Sequence, residues 1–207
     1  MIDPNEYLEA GQLLHGHKSP AMPLGLRAGA AAMNALGVER AKDGQLLAVL
    51  ELGQAHCAHC FADGVQMITG CTFGKGNIKQ LNQGKFGLTL VETATGRAVR
   101  VVPRAEVQVG TKQTPFFKEY REKGIPASRV PDEVVQPLVQ QVMSMPEDKL
   151  LKVGQEFHRE VNRPPESFAS FVCEHCGDMV VETYGRVVGD RKVCIPCQQE
   201  LVAGGQP

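Results

Sequence analysis

Apolar positions near the start of the chain recur at helical spacing. Residues 3–14 set Leu8, Leu13 and Leu14 on one side, with Asp3 placed to cap and Pro4 at the first helical position, so a short helix is expected to end at HGHKSP. The stretch LGLRAGAAAMNALG after Pro20 and Pro23 predicts a second helix, closed by Gly37, whose Gly and Ala content lets a neighbouring backbone come close. Gly25 and Gly29 weaken that helix locally, by about 1 kcal/mol each against Ala. The rhythm then changes. LLAVLEL, Leu46 to Leu52, is a continuous apolar run of strand length between Asp43-Gly44 and Gly53, and predicts an interior strand. Cys60 to Thr69 reads as a helix. FGLTLVE and RAVRVVP, joined by Thr93-Ala94-Thr95-Gly96 and rich in β-branched residues, read as a β-hairpin. Residues 114–152 return to helical spacing, with Val134, Val135, Leu138, Val139, Val142 and Met143 on one face and Pro137 marking either a kink or the true start of that helix. These elements together predict an α+β core, an antiparallel or mixed sheet with helices packed on it.

NRPPES, residues 162–167, has the composition of a linker, so the chain is expected to divide into a core of residues 1–165 and a C-terminal module of 166–207. That module contains Cys173, Cys176, Cys194 and Cys197: a CxxC pair, seventeen residues, and a second CxxC. Four thiolates at this spacing make a closed tetrahedral site for structural Zn²⁺. MVVETYG and RVVGDRKV suggest a hairpin turning at Gly189-Asp190, and the second pair opens a short helix, the arrangement of a treble-clef finger. So short a module lacks a core of its own and takes much of its folding free energy from the metal.

Composition changes this picture little, since 43% hydrophobic residues, 22% charged residues and no Trp describe an ordinary soluble domain with an aliphatic interior. Charge matters more. The formal net charge is -1, and the module sets Arg186, Arg191 and Lys192 against Glu174, Asp178, Glu182, Asp190 and Glu200, so a nucleic-acid partner is not expected. An acidic N-terminal stretch and the lack of a long apolar run give the expectation of a cytoplasmic protein that does not enter membranes, and thiol-rich metal spacing agrees with a reducing compartment.

The remaining chemistry clusters in the core. His15-Gly16-His17 and His56-Cys57-Ala58-His59-Cys60 bring imidazoles and thiols into two short segments, and Cys71 completes the cysteine count. Imidazole and thiolate are the donors that transition metals prefer. Cys60 stands at a helix N-terminus, where the dipole favours thiolate, and Asp63 is either a ligand or a helix-start carboxylate. Cys57-Ala-His-Cys60 also has the form of a dithiol redox site, but it lacks the surrounding thioredoxin-like βαβ pattern. TGCTFGKGN, residues 69–77, lacks the spacing of a phosphate loop, yet a glycine-rich turn carrying Lys75 either holds an anionic cofactor group or is simply a tight turn.

HGHKSPAMPLGLRAG, CFADGVQMITGCTFGKGN and the GKF…GRAVRV hairpin together resemble the FmdE-like family of formylmethanofuran dehydrogenase operons, including members with a C-terminal zinc finger. The resemblance implies an α+β core that dimerises, a finger packed on it, and a protein partner in a molybdenum or tungsten enzyme system. It does not imply catalysis of the reaction in the family's name. The family pattern has cysteine where Ser19 stands and keeps Cys60 with Asp63; His56, Cys57 and His59 are the candidates to replace the missing ligand. Three functions follow as expectations. The leading one is a metal-binding accessory protein holding a second transition metal or a metal-bearing cofactor in its core. The others are a metal-dependent enzyme acting on a small anionic or thiol substrate, and an adaptor working through its finger.

Overall fold

The computed structural model describes residues 1–55 and 59–204. They form two compact units, residues 1–161 and 162–207. The first opens with a 3-10 turn, Pro4–Tyr7, capped by the Asp3 carboxylate, and continues into α1, Leu8–His15. The 16-residue α2, Ala21–Leu36, is the central helix and buries most of its length, from Met22 to Leu36. Gly37 ends it in the left-handed conformation, φ 66°, as its sequence predicts.

Strand β1, Leu46–Leu50, is buried on both faces. From it the chain passes through α3, Cys60–Thr69, to β2, Ile78–Gln80, which pairs with β1 in parallel. This is a βαβ crossover that the sequence pattern does not reveal, because β2 is three residues long and without alternation. β3, Leu88–Glu92, and β4, Arg97–Pro103, form the expected hairpin. β5, Leu151–Val153, and β6, Phe157–His158, pair with different parts of β4, giving a mixed sheet ordered β2-β1-β3-β4-β5. One sheet face supplies Leu46, Ala48, Leu50, Leu88, Leu90, Val99 and Val101 to the main core with α2 and α3. The other carries a small cluster of Leu47, Val49, Val91 and Ala98.

Helix α4, Ala105–Lys112, a π-helical turn at Phe116–Arg121, α5, Asp132–Ser144, and α6, Glu147–Leu150, fill the connection from β4 to β5. Pro137 lies inside α5 rather than at its start, and the buried face of that helix is Val135, Val139 and Val142. Its C-terminal carbonyls would be orphaned. Arg27 of α2 reaches across to satisfy them, donating to the carbonyls of Val142, Met143 and Met145 at 2.9, 2.7 and 2.8 Å.

A charged pair also sits at the sheet. Glu51 follows β1 and is 7% exposed, and Arg100 of β4 donates to both its oxygens, at 2.5 and 2.7 Å. Gly87 makes room, since a Cβ there would lie 2.4 Å from the Glu51 carboxyl carbon. The hydrogen bonds from Arg100 hold the Glu51 carboxyl below its ordinary range. A depressed folded value means the pair stabilises fully above the unfolded carboxylate value, about 4.3, and loses that contribution as pH falls through the folded value. The Arg100 side chain is 42% exposed, which screens the pair. Arg100→Gln is therefore expected to lower stability by about 1 kcal/mol at pH 7 and by less at pH 3, read from urea unfolding midpoints at the two pH values.

In the second unit, β7, Ser170–Val172, pairs with β8, Met179–Val181, and β9, Arg186–Val188, pairs with β10, Arg191–Val193. The predicted turn at Gly189-Asp190 is present, with Gly189 at φ 63°. MVV, however, pairs backwards with SFV across the first CxxC knuckle and takes no part in the second hairpin. Helix α7, Ile195–Ala203, begins at the second pair, with Cys194 as its cap residue. Knuckle, hairpin and helix make the expected treble-clef finger.

Candidate metal centre

Each donor of the core cluster is placed by a helix end. His15 is the last residue of α1, and Gly16 follows in the left-handed conformation, φ 82°, which turns the chain so that His17 stacks beside His15 with ring centroids 4.1 Å apart. Cys60 opens α3. The donor atoms of His15, His17 and Cys60 all lie within 4.8 Å of one another. Donors around a single Zn²⁺, at about 2.0–2.3 Å from it, are roughly 3.3–3.8 Å apart, so small side-chain adjustments suffice.

Asp63, one turn into α3, is outside that donor group. Its Oδ2 lies 2.7 Å from His15 Nδ1. Its Oδ1 accepts from Gln66 Nε2 at 3.2 Å, and Gln66 Oε1 accepts from the Phe73 backbone N–H at 3.2 Å. A carboxylate on one ring nitrogen fixes the tautomer and leaves the other as a lone-pair donor, which is how carboxylates support metal-bound histidines. The other nitrogen, His15 Nε2, is buried without a hydrogen-bond partner among the described residues. An unsatisfied buried polar atom costs about 1–3 kcal/mol, which bonding to a metal ion would offset.

The electrostatics differ from the sequence expectation at Cys60. Burial pushes its thiol up, against the pull of the helix N-terminus, and a hydrogen bond with the buried Ser19 side chain opposes that only in part. Burial, then the neighbouring charge of His15, lowers the His17 imidazole and keeps its lone pair available.

The remaining sequence candidates fall elsewhere. Cys71 is fully buried in the main core and is not among the clustered donors. Lys75 Nζ donates to the Ala41 carbonyl at 3.0 Å, Thr72 caps the short turn that holds it, and buried Asn77 ties the loop to Asp43, Leu46 and Thr72. TGCTFGKGN is thus an anchored tight turn. His59 occupies the position before α3 without a side-chain capping bond and lines the pocket beside the donors, while His56 and Cys57 lie outside the described residues.

The three donors face a cavity of about 640 Å³. Its apolar wall includes Leu24, Phe86, Phe116, Phe117 and Val142, and Phe86 is seated edge-on against Phe61 of α3 with centroids 5.7 Å apart. Lys112 and Arg121 also line it. Sequence reasoning missed this wall, because the π-helical turn that carries Phe116, Phe117 and Arg121 has no signature in residue spacing.

In the finger the four sulfurs also lie within 4.8 Å of one another. The Cys194 N–H donates to Cys173 Sγ at 3.3 Å, and Gly177, at φ 81°, closes the knuckle with its N–H on the Cys173 carbonyl. Backbone N–H groups, that of Cys176 foremost, lower the Cys173 thiol to about 6, favouring the thiolate that zinc requires.

A mixed-sheet α+β domain with a His/His/Cys cluster at a pocket, followed by a four-cysteine zinc finger, defines the class of protein. The chain belongs to the FmdE family, described as "Molybdenum formylmethanofuran dehydrogenase operon", which residues 14–152 match. Residues 166–202 match the prokaryotic dksA/traR C4-type zinc finger. The chain is 33% identical over 183 residues to an Archaeoglobus fulgidus protein described as "Probable S-adenosyl-L-methionine-binding protein". That alignment takes in 82% of this chain and 47% of the relative, so the chain spans about half the relative's length. A crystal structure of a tungsten formylmethanofuran dehydrogenase FmdE-like protein from Syntrophus aciditrophicus superposes with a TM-score of 0.61 at 20% identity, over 95% of this chain and 92% of that one. At that identity the likeness is one of fold. Among the described residues, no helix is long and apolar enough to cross a membrane.

Proposed function

We propose that this protein is a metal-binding accessory protein in which His15, His17 and Cys60 hold a transition metal or a metal-bearing cofactor, while the finger holds a structural zinc. The observation that carries this reading is the buried Nε2 of His15, without a partner among the described residues, in a ring fixed by Asp63 and beside two further soft donors. Three protein ligands leave a tetrahedral ion one open position, and a metal held there would supply a Lewis acid at the pocket. The pocket itself favours a second reading, a metal-dependent enzyme acting on a small anionic or thiol substrate, since storage of a bare ion needs no apolar cavity. Both readings place the protein in a reducing compartment, where the cysteines stay available as thiolates.

The test is metal content per chain by plasma mass spectrometry on untagged, anaerobically purified protein. The wild type is expected to hold two metal atoms per chain and the His17→Ala/Cys60→Ala variant one. Asp63→Ala is expected to keep all three donors yet bind the core metal about 10–100-fold more weakly, because His15 loses its orienting partner. One zinc in both the wild type and the double variant would eliminate the core centre.

A further inference from the structure

The pocket beside the donor cluster has a charge as well as a shape. Two neutral imidazoles and one thiolate around a divalent ion leave a net charge of +1, which the Asp63 carboxylate cancels. Arg121 and Lys112 then add two positive charges to a wall that is otherwise largely apolar and aromatic. Arg121 lines the same cavity as His15, His17 and Cys60. Its position is built rather than incidental. The turn Phe116–Arg121 is π-helical, with the Glu122 N–H on the Phe117 carbonyl at 2.8 Å, and Arg121 Nη1 is tied to the Ile125 carbonyl at 2.6 Å. The wider π-helical turn lets Phe116, Phe117 and Arg121 all reach the pocket lining. Such turns are rare and concentrate at functional sites.

We infer that the pocket binds a small organic anion with an aromatic or apolar body, the body lying against Phe86, Phe116 and Phe117 and the anionic group drawn to the cationic side formed by Arg121 and Lys112. The inference rests on the proposed metal centre to balance the Asp63 carboxylate, and on Arg121, Lys112 and the aromatic wall for the preference itself. A cavity of about 640 Å³ is within the usual range for a drug-sized ligand, roughly 300–1,000 Å³. An apolar wall alone would accept neutral molecules equally, so the charge preference is the distinguishing property. S-adenosylmethionine, whose sulfonium adds a positive charge, is disfavoured by the same field.

Calorimetric titration of the purified full chain with 3-phenylpropanoate, 3-phenylpropan-1-ol and S-adenosylmethionine, with metal content measured on each sample, tests this. The carboxylate is expected to bind at least ~10-fold more tightly than the alcohol. Arg121→Gln is expected to reduce that preference to about 2-fold with metal content unchanged, and Arg121→Lys, which keeps the charge, to restore most of it. Equal binding of acid and alcohol, tighter binding of S-adenosylmethionine, or a preference untouched by Arg121→Gln would overturn the inference. The two readings fail separately: a chain with no core metal that still prefers the carboxylate through Arg121 refutes the metal centre alone, and a metal-loaded chain without the preference refutes the anion pocket alone.

Discussion

Gly64→Ala is expected to destabilise the core unit by about 3 kcal/mol or more and to empty the core metal site, while leaving the finger zinc in place. In an isolated helix the same change would stabilise by about 1 kcal/mol, so the sign is diagnostic. Helices α2 and α3 cross backbone to backbone. A Cβ on Gly64 would lie 2.0 Å from the Met22 carbonyl oxygen, 2.7 Å from the Leu26 nitrogen and 2.9 Å from Gly25 Cα. A Cβ on Gly25 would in turn lie 2.1 Å from the Phe61 carbonyl oxygen. Backbone cannot rotate aside as a side chain can, so the helices must separate. Cys60 and Asp63 ride on α3 and His15 on α1, so separation breaks both the 2.7 Å Asp63–His15 contact and the donor cluster. Gly110→Ala, at a helical position where an added Cβ would meet no other element within 4 Å among the described residues, supplies the control and is expected to be neutral or mildly stabilising. Denaturant midpoints and metal content per chain check both variants. A Gly64→Ala protein that unfolds at the wild-type midpoint would show that the close crossing does not limit stability.

That crossing was legible in part, because the small residues of LGLRAGAAAMNALG announce a helix that another backbone approaches, though not which backbone. Continuous apolar β1, the β3–β4 hairpin and the donor pairs of the finger were legible for the same reason: each signal is local. Strands β5 and β6 were not, since three and two residues become strand only by pairing with β4. Helix α4 was missed because no residue of AEVQVGTK is buried, so it has no apolar stripe to read. Within the site, His15, His17 and Cys60 stood out by type and crowding, whereas the placement of Asp63 against His15, 48 residues away, depends on how α1 meets α3. At Lys75 the sequence leaves an anion cradle and a tight turn equally open, because local spacing does not show that the ammonium donates to the Ala41 carbonyl.

The second large effect is expected in the finger, where Cys197→Ser should remove one zinc per chain and unfold the second unit while the first keeps its own stability. The buried core of that unit consists of Cys173, Val193 and Cys197, with Val180, Val188 and Leu201 partly covered around them. Two of its three buried side chains are therefore metal ligands. Burial of a Val or Leu contributes roughly 1.5–3 kcal/mol, and one fully buried valine with a few half-covered neighbours does not offset the ordering of about forty residues. Zinc binding to a finger supplies about 10–16 kcal/mol, so the metal decides whether this unit is folded. The Cys173 sulfur that accepts from the Cys194 N–H would lose the metal that holds it in place. Hydrogen exchange read by mass spectrometry should then show protection lost across residues 170–203 and retained in β1, β3 and β4. The residue-162 boundary between the compact units makes the retained half specific: the first unit draws its core from its own α2, α3 and sheet. Protection persisting in the finger of the variant would mean that its few apolar contacts suffice without the fourth thiolate.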